Sequence, residues 1–463
     1  MALDQLRDVA RQAEYLVTVT SDNPSKSSFT GLVMRRSKAL VAAGLLLFRV
    51  IVDILYAKYI YETFGYAGYT LDIDPTRIVF SYIVLAAVVL AMPLDRRTIS
   101  SFFLFIIVLL LLLPATSYYA MSGQSPEAFA LTLLVTGVIW LFLTIMPRIT
   151  VVKPTISNQR ELIFTATVIG IGYFLIYLYD TERSLLAGFN LDKVYEMREE
   201  AQETVSGLRA YLLGNLCKAL APAGIAILLM LRRRLAATLL GGGLMLIMGA
   251  LGYKEIAIYA MLPFVFYYAQ KLSISFQKAL LVGLIVLSVV ATIWWRASGQ
   301  HYPLALLVHR GMVVNAQNNV EYISFFQENA HTIWGNSFLR GFVEYEYSQK
   351  IPEIIGSDRY GEGQYGFSNV GLVGSGYMHW GLWGVCIYAM IVGFYAFILH
   401  CCARLDVLSG SLVFIAAVQI VSADLPSVFV THGALLVALL LYAVAWKRAH
   451  ADHGRKELSG STA

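Results

Sequence analysis

The sequence predicts an all-α, polytopic transmembrane helical bundle, and three observations predict it. Of 463 residues, 58% are hydrophobic and only 14% charged, with a mean hydropathy of +0.64. A soluble chain of this size needs far more charge on its surface. Apolar runs of spanning length recur along the chain, about twelve in all. Cations collect in alternate connections between those runs, as they do in inner-membrane proteins. The net charge of +5 is small and set by these connections, so it reports on topology and gives no sign of a nucleic-acid partner.

In chain order, residues 1–38 read as a polar cytoplasmic tail. The first apolar run begins behind Arg35, Arg36 and Lys38 and is expected to act as an uncleaved anchor. Spans are expected at 39–57, 78–94, 100–118, 128–146, 161–179, 211–231, 235–252, 254–270 and 276–295. Residues 296–377 follow as a long extracytoplasmic loop containing short helices. Further spans fall at 378–400, 407–424 and 427–446, and residues 447–463 form a second cytoplasmic tail. Cations at Arg96/Arg97, Arg148/Lys153/Arg160, Arg232–Arg234, Lys271/Lys278, Arg404 and Lys447/Arg448 put both termini on the cytoplasmic side. The four cysteines lie in or beside apolar runs without metal spacing.

The stretch from about Arg296 to Trp380 breaks the apolar pattern. It carries Arg296, Arg310, Arg340, Lys350 and Arg359 against seven carboxylates, and four of the chain's eight histidines, His301, His309, His331 and His379. Its aromatic content argues against disorder, and long connections in compact proteins are usually functional. A helix is expected over 306–327, with Arg310, Gln317, Glu321 and Phe325 near one face. A cation and a carboxylate there, with His309 and His331 nearby, suit binding of a diphosphate combined with activation of a hydroxyl. The same helix also reads as a salt-bridged amphipathic element on the membrane surface. Arg340 and Glu344 form another cation–carboxylate set. Six glycines from Gly361 to Gly376 surround Asn369 and permit close backbone approach.

Other charges offer two readings each. Arg49 and Asp53 share a face of the first span, either as an internal ion pair or facing a cavity. Tyr195, Glu196 and Arg198 lie on an amphipathic stretch, either holding a phosphate group by the guanidinium fork or simply solvated. Lys254 sits between two short glycine-rich runs, pointing into a cavity or exposed on a turn.

Several stretches resemble the Wzy-type O-antigen and exopolysaccharide repeat-unit polymerases. They are His309-Arg310, Phe325-Phe326, Phe338 to Tyr345, Asn369-Val370-Gly371, Gly376-Tyr377, Trp380 to Gly384, Tyr66 to Asp72 and Leu191 to Arg198. Ser375 stands where relatives tend to carry an acid before Gly-Tyr. The resemblance implies a GT-C-like fold and a metal-independent glycosyltransferase of the bacterial inner membrane. At the periplasmic face it would transfer the growing glycan from undecaprenyl diphosphate to an incoming lipid-linked unit. On this reading Arg310, Glu344, Glu321 and His331 are the catalytic candidates. Arg340, Arg198, Lys254, Tyr195, His309 and Asn369 are the candidates for holding diphosphate and glycan. No metal or cofactor is expected; the partners are the lipid-linked oligosaccharide, membrane lipid and a chain-length-regulating co-polymerase. An O-antigen ligase of similar architecture, or a flippase or transporter for lipid-linked oligosaccharide, are the alternatives.

Overall fold

The computed structural model describes residues 24–147, 149, 151, 158–181, 205–335, 339, 341–360 and 367–444. Among them every regular element is helical. In chain order these are α1 (Pro24–Leu55, continued to Ala67), α2 (Pro75–Ala91), α3 (Ile99–Ser122), α4 (Pro126–Ile145) and α5 (Gln159–Asp180). Then come α6 (Leu208–Met230), α7 (Arg234–Leu251), α8 (Glu255–Lys271), α9 (Phe276–Ser298) and α10 (302–328). The chain closes with α11 (Ile351–Tyr360), α12 (Leu372–Cys402), α13 (Val407–Ser422), α14 (Leu425–Val430) and α15 (Ala434–Val444).

Nine helices among the described residues are long and apolar enough to cross a membrane, α14 and α15 together making one of them. Three further expected spans fall on α2, α8 and α13, helices of 17, 17 and 16 residues. α3 is the centre of the bundle, with 89% of its apolar window buried. Outer helices instead show apolar stripes: Leu40, Leu47, Val50 and Ile54 on α1, and Val282, Val286, Val289, Val290 and Ile293 on α9, are exposed. Apolar side chains turned outward at helical spacing are what a lipid environment selects.

Caps and prolines set the helix ends. Asp74 and Ser125 accept from the amides of Thr76 and Glu127, each followed by proline at the first helical position, where its missing N–H costs nothing. Asp406 and Ser409 close a reciprocal capping box on α13. Widened turns interrupt four helices, at Tyr56–Ile60, Val108–Leu112, Leu216–Leu220 and Ala305–Val313. Pro114 and Pro222 follow two of them within one turn, and loosening the ladder there relieves the clash of the ring with a preceding carbonyl.

The charged pair expected in the first span is internal. Arg49 is fully buried; its guanidinium donates to Asp53 at 2.8 Å, Ser81 at 3.2 Å and Thr116, and sits 4.7 Å from the Tyr82 ring centre. Asp53 also accepts from Tyr82 at 2.8 Å and from Ser117. One network therefore locks α1, α2 and α3 together, and its donors and acceptors face one another.

Connections gather at two ends. Asp72 N–H donates to Met121 O at 2.9 Å, Tyr59 OH to His301 O at 3.1 Å, and Gln327 to Glu127. These contacts bring the 68–74, 123–125 and 299–301 connections to one end, together with the polar segment. At the other end, Arg97 donates to Ser273 O at 3.1 Å and Gln277 to Arg96 O at 3.0 Å.

Candidate functional site at the capped end

The described parts of the polar segment are folded and cover one end of the bundle. α10 packs against α12, α3 and α4. Its buried amides fasten neighbouring chain: Gln317 donates to Ala67 O at 2.7 Å, Asn318 to Asn369 O, and Asn319 accepts from Gly374 N–H at 3.0 Å. A small separate apolar cluster of Tyr322, Phe326, Ile351, Ile355, Val370 and Met378 holds α11 and the neighbouring chain onto α10. That cluster is why a stretch this polar has a defined shape.

α12 is two helices joined at a sharp reversal. Trp380 and Gly381 leave helical geometry, with Gly381 at φ 55, ψ −137, a conformation essentially reserved for glycine. The chain folds back so that Gly376 lies against Gly384 and Val385. The short first arm, 372–379, is thereby tucked beside the second and carries Ser375 and His379 into the interior, each fully buried.

Two polar centres result. In the first, Arg359 on α11 forks onto Glu321 on α10, Nε to Oε1 at 2.8 Å and Nη2 to Oε2. Nη2 also donates to Asn318 Oδ1 at 2.5 Å and Ser368 Oγ at 3.1 Å. The Arg359 side chain is 4% exposed and that of Glu321 25%. Burial raises the Glu321 pKa against the opposing pull of Arg359, and the net direction is upward.

The second centre surrounds Asp424, between α13 and α14. Its Oδ1 accepts from Tyr388 OH at 2.9 Å and from Ser375 Oγ, and His379 Nε2 lies 3.6 Å away. Tyr388 OH in turn accepts from Trp334 Nε1 at 2.8 Å. His379 Nδ1 lies 2.7 Å from Thr332 Oγ1 and 3.1 Å from the Trp334 amide. Burial works to raise the Asp424 pKa, but the facing imidazole and the two hydroxyls outweigh it and hold the carboxyl below its ordinary value. Ser375, where no acid stands in the sequence, thus has a carboxylate within hydrogen-bond reach from a neighbouring helix. Around this centre stand aromatic rings: Trp334 and Trp380 at 4.3 Å between centroids, and His331 between Phe326 at 6.0 Å and Tyr377 at 5.9 Å.

The expected site residues are distributed as follows. His309 is in the aromatic core, stacked on Phe64 at 3.8 Å and 3.0 Å from Tyr69 OH. Burial, then the Arg359 charge, pushes its pKa down to about 3, so it is neutral and brings no charge to a diphosphate. Arg310 is exposed on the widened turn of α10, whereas Gln317 is buried. Arg310 therefore does not share the face expected for it with Gln317 and Glu321. Each extra residue in a widened turn moves later side chains by about 100° around the axis. His331, Glu344 and Asn369 are exposed. Lys254 is half-buried at the start of α8, with its ammonium 5.8 Å from the Tyr302 ring centre. Arg340, Arg198 and Tyr195 lie outside the described residues. Glu321 is the one catalytic candidate built into a centre; Arg359 and His379 stand out in the sequence only as members of the polar stretch, and Asp424 and Tyr388 are in no expected site.

A further polar group sits within the spans. Lys218, on the widened turn of α6, has Nζ 3.0 Å from Gln419 Oε1 and 2.5 Å from His432 Nδ1, and Gln419 donates to Tyr259 OH. His432 lies in the break between α14 and α15. Among the described residues no three His, Cys, Asp or Glu side chains are grouped to hold a metal ion. Comparison of the chain with family models, with curated proteins and with solved structures gave no match.

Proposed function

We propose that this multi-pass membrane protein polymerises oligosaccharide repeat units carried on undecaprenyl diphosphate. The observation that carries the reading is the folded polar cap, which gathers carboxylates, cations and an aromatic wall at one end of a bundle otherwise clad in apolar side chains. A lipid-diphosphate donor needs that combination: apolar walls for the prenyl chain, cations where the diphosphate emerges, and ring faces for sugars. Arg310 is accessible at that end and is the first candidate to hold the diphosphate, with Lys254, Arg340 and Arg198 as further cations and Asn369 and Tyr195 as polar contacts. Glu344 and His331 are accessible, while Glu321 is engaged by Arg359. The reaction takes place on the periplasmic side of the bacterial inner membrane, with the capped end outward and both termini inward. A co-polymerase that regulates chain length is the expected partner.

Lys218 and His432 favour a second reading. Ionisable groups within spans, at an interrupted helix, are a feature of transporters, and a flippase for lipid-linked oligosaccharide would use them. Deletion of the gene followed by gel analysis of surface polysaccharide separates the readings. A polymerase mutant leaves core plus a single repeat unit. A flippase mutant leaves bare core without polymer, and a ligase mutant leaves bare core while lipid-linked polymer accumulates. Either of the last two patterns overturns the proposal.

A further inference from the structure

We propose that Asp424 is the proton acceptor for the attacking sugar hydroxyl, and that Trp334 and Trp380 form the face on which the acceptor ring stacks. This rests on the glycosyl-transfer reading above and gives its acceptor half a place.

Asp424 is oriented on one side and open on the other. Ser375, Tyr388 and His379 all face Oδ1. Among the described residues no hydrogen bond or ion pair is made to Oδ2, and the side chain keeps 20% exposure. A carboxylate buried only for packing would have both oxygens satisfied from within. The Trp334 amide can only donate, so His379 Nδ1 accepts and the ring proton sits on Nε2. Nε2 is buried and, 3.6 Å from Oδ1, lies beyond hydrogen-bond distance of any partner. His379 Nε2 thus faces the carboxylate, and no described Lys or Arg forms an ion pair with Asp424. The imidazole and the two hydroxyls hold the carboxyl ionised at neutral pH while Oδ2 stays open. A carboxylate with one oxygen held and the other open can receive the proton of a hydroxyl brought to Oδ2.

The backbone beside this centre is strained. Ile333 and Trp334 are consecutive non-glycine residues at φ 44 and 58, and for a branched side chain this region is a true outlier. Four contacts hold it there: Thr332 N–H to Met378 O at 3.0 Å, Gly335 N–H to Thr332 O at 2.8 Å, the Trp334 amide to His379, and the Trp334 indole to Tyr388. The effect is to aim the Trp334 amide at the His379 ring and its indole at Trp380. Strained backbone held by its surroundings collects at functional sites. Paired indoles beside a carboxylate fit the apolar face and hydroxyl edge of a pyranose.

In the step itself, the acceptor oxygen forms a bond to the anomeric carbon of the donor glycan. The anomeric carbon–oxygen bond to the diphosphate breaks, and undecaprenyl diphosphate leaves with the electron pair. The hydroxyl proton passes to Asp424 Oδ2 and is later released to water.

The test uses purified full-length protein added in detergent to membranes of the deletion strain, which accumulate unpolymerised lipid-linked units, with ladder formation measured against pH. Wild-type protein that builds no ladder refutes the polymerase reading itself. Given an active wild type, Asp424→Asn at equal protein level and unchanged elution should lose about 10²–10⁴-fold in rate. Formate added to Asp424→Ala should restore part of the activity by acting as the missing base. A full ladder from Asp424→Asn overturns the proposal, and so does folded Asp424→Ala that formate leaves inactive. Should the Asp424 variants not fold, Tyr388→Phe decides. Removing that donor raises the Asp424 pKa, so the acid limb of the pH–rate profile should move to higher pH. An unmoved limb overturns the proposal.

Discussion

The Arg359–Glu321 pair offers a direct way to distinguish a structural carboxylate from a chemical one. Arg359→Met removes the fork onto Glu321 and the donors to Asn318 and Ser368 in a single step. Breaking a buried pair from one side costs about 3–5 kcal/mol, because the partner is left charged and unpaired. Glu321 keeps 25% exposure, so water reaches it and the lower end, about 3 kcal/mol, applies. The loss is local: α11 is held to α10 by this pair and by one small apolar cluster. A change of that size raises the open population of α11 roughly a hundredfold, and limited proteolysis reads it when closing is faster than cleavage. Cleavage within 341–360 should accelerate accordingly. Glu321→Gln keeps an acceptor for Arg359 and should cost less, about 1–3 kcal/mol.

The double variant Glu321→Gln/Arg359→Met contains neither charge. It should be less protease-sensitive than Arg359→Met alone, with a coupling of about 0.5–3 kcal/mol. If Glu321 serves only to hold Arg359, the polysaccharide ladder recovers along with protease resistance. If Glu321 also acts on substrate, resistance returns and the ladder does not. Parental cleavage rates in Arg359→Met would refute the reasoning, since the pair would then contribute nothing to closing the cap.

Two further outcomes follow from the same geometry. Arg310→Ala should lower the rate by about 10²–10³-fold in complementation of a deletion strain, the usual size for one electrostatic contact to a developing anion. Arg310→Lys should fall between, having charge without the planar fork, and a full ladder from Arg310→Ala returns Arg310 to an ordinary surface role. Asp424 also predicts an acid limb in stability. Its folded pKa is depressed, so its contribution is present above the unfolded value of about 3.9 and lost as pH falls through the folded one. Thermal unfolding in detergent should show Tm falling below about pH 4, and Asp424→Asn should flatten that fall; an unchanged slope in the variant contradicts the assignment.

What the sequence reveals follows from the range of the interactions involved. Helix positions are legible because burial in lipid demands apolar runs, and the twelve expected runs fall on helices. The helix expected at 306–327 appears at 302–328, and the Arg49–Asp53 pair is visible because its partners are four residues apart. The site is another matter. Arg359 and Glu321 are 38 residues apart, and Ser375 and Asp424 are 49 apart, so no local period brings them together. Asp424 closes an apolar run and reads there as the edge of a span. Its surroundings depend on the fold-back at Gly381, and a single glycine among the many of 361–384 gives no sign of φ 55 before the fold is known. Arg310 shows the converse failure. A regular helical period places it with Gln317 and Glu321, but the widened turn at Ala305–Val313 rotates it outward, and no residue pattern in that stretch announces the extra residue. A long polar connection therefore marks where the chemistry gathers, whereas the residues that perform it are selected by two backbone departures, the fold-back and the widened turn.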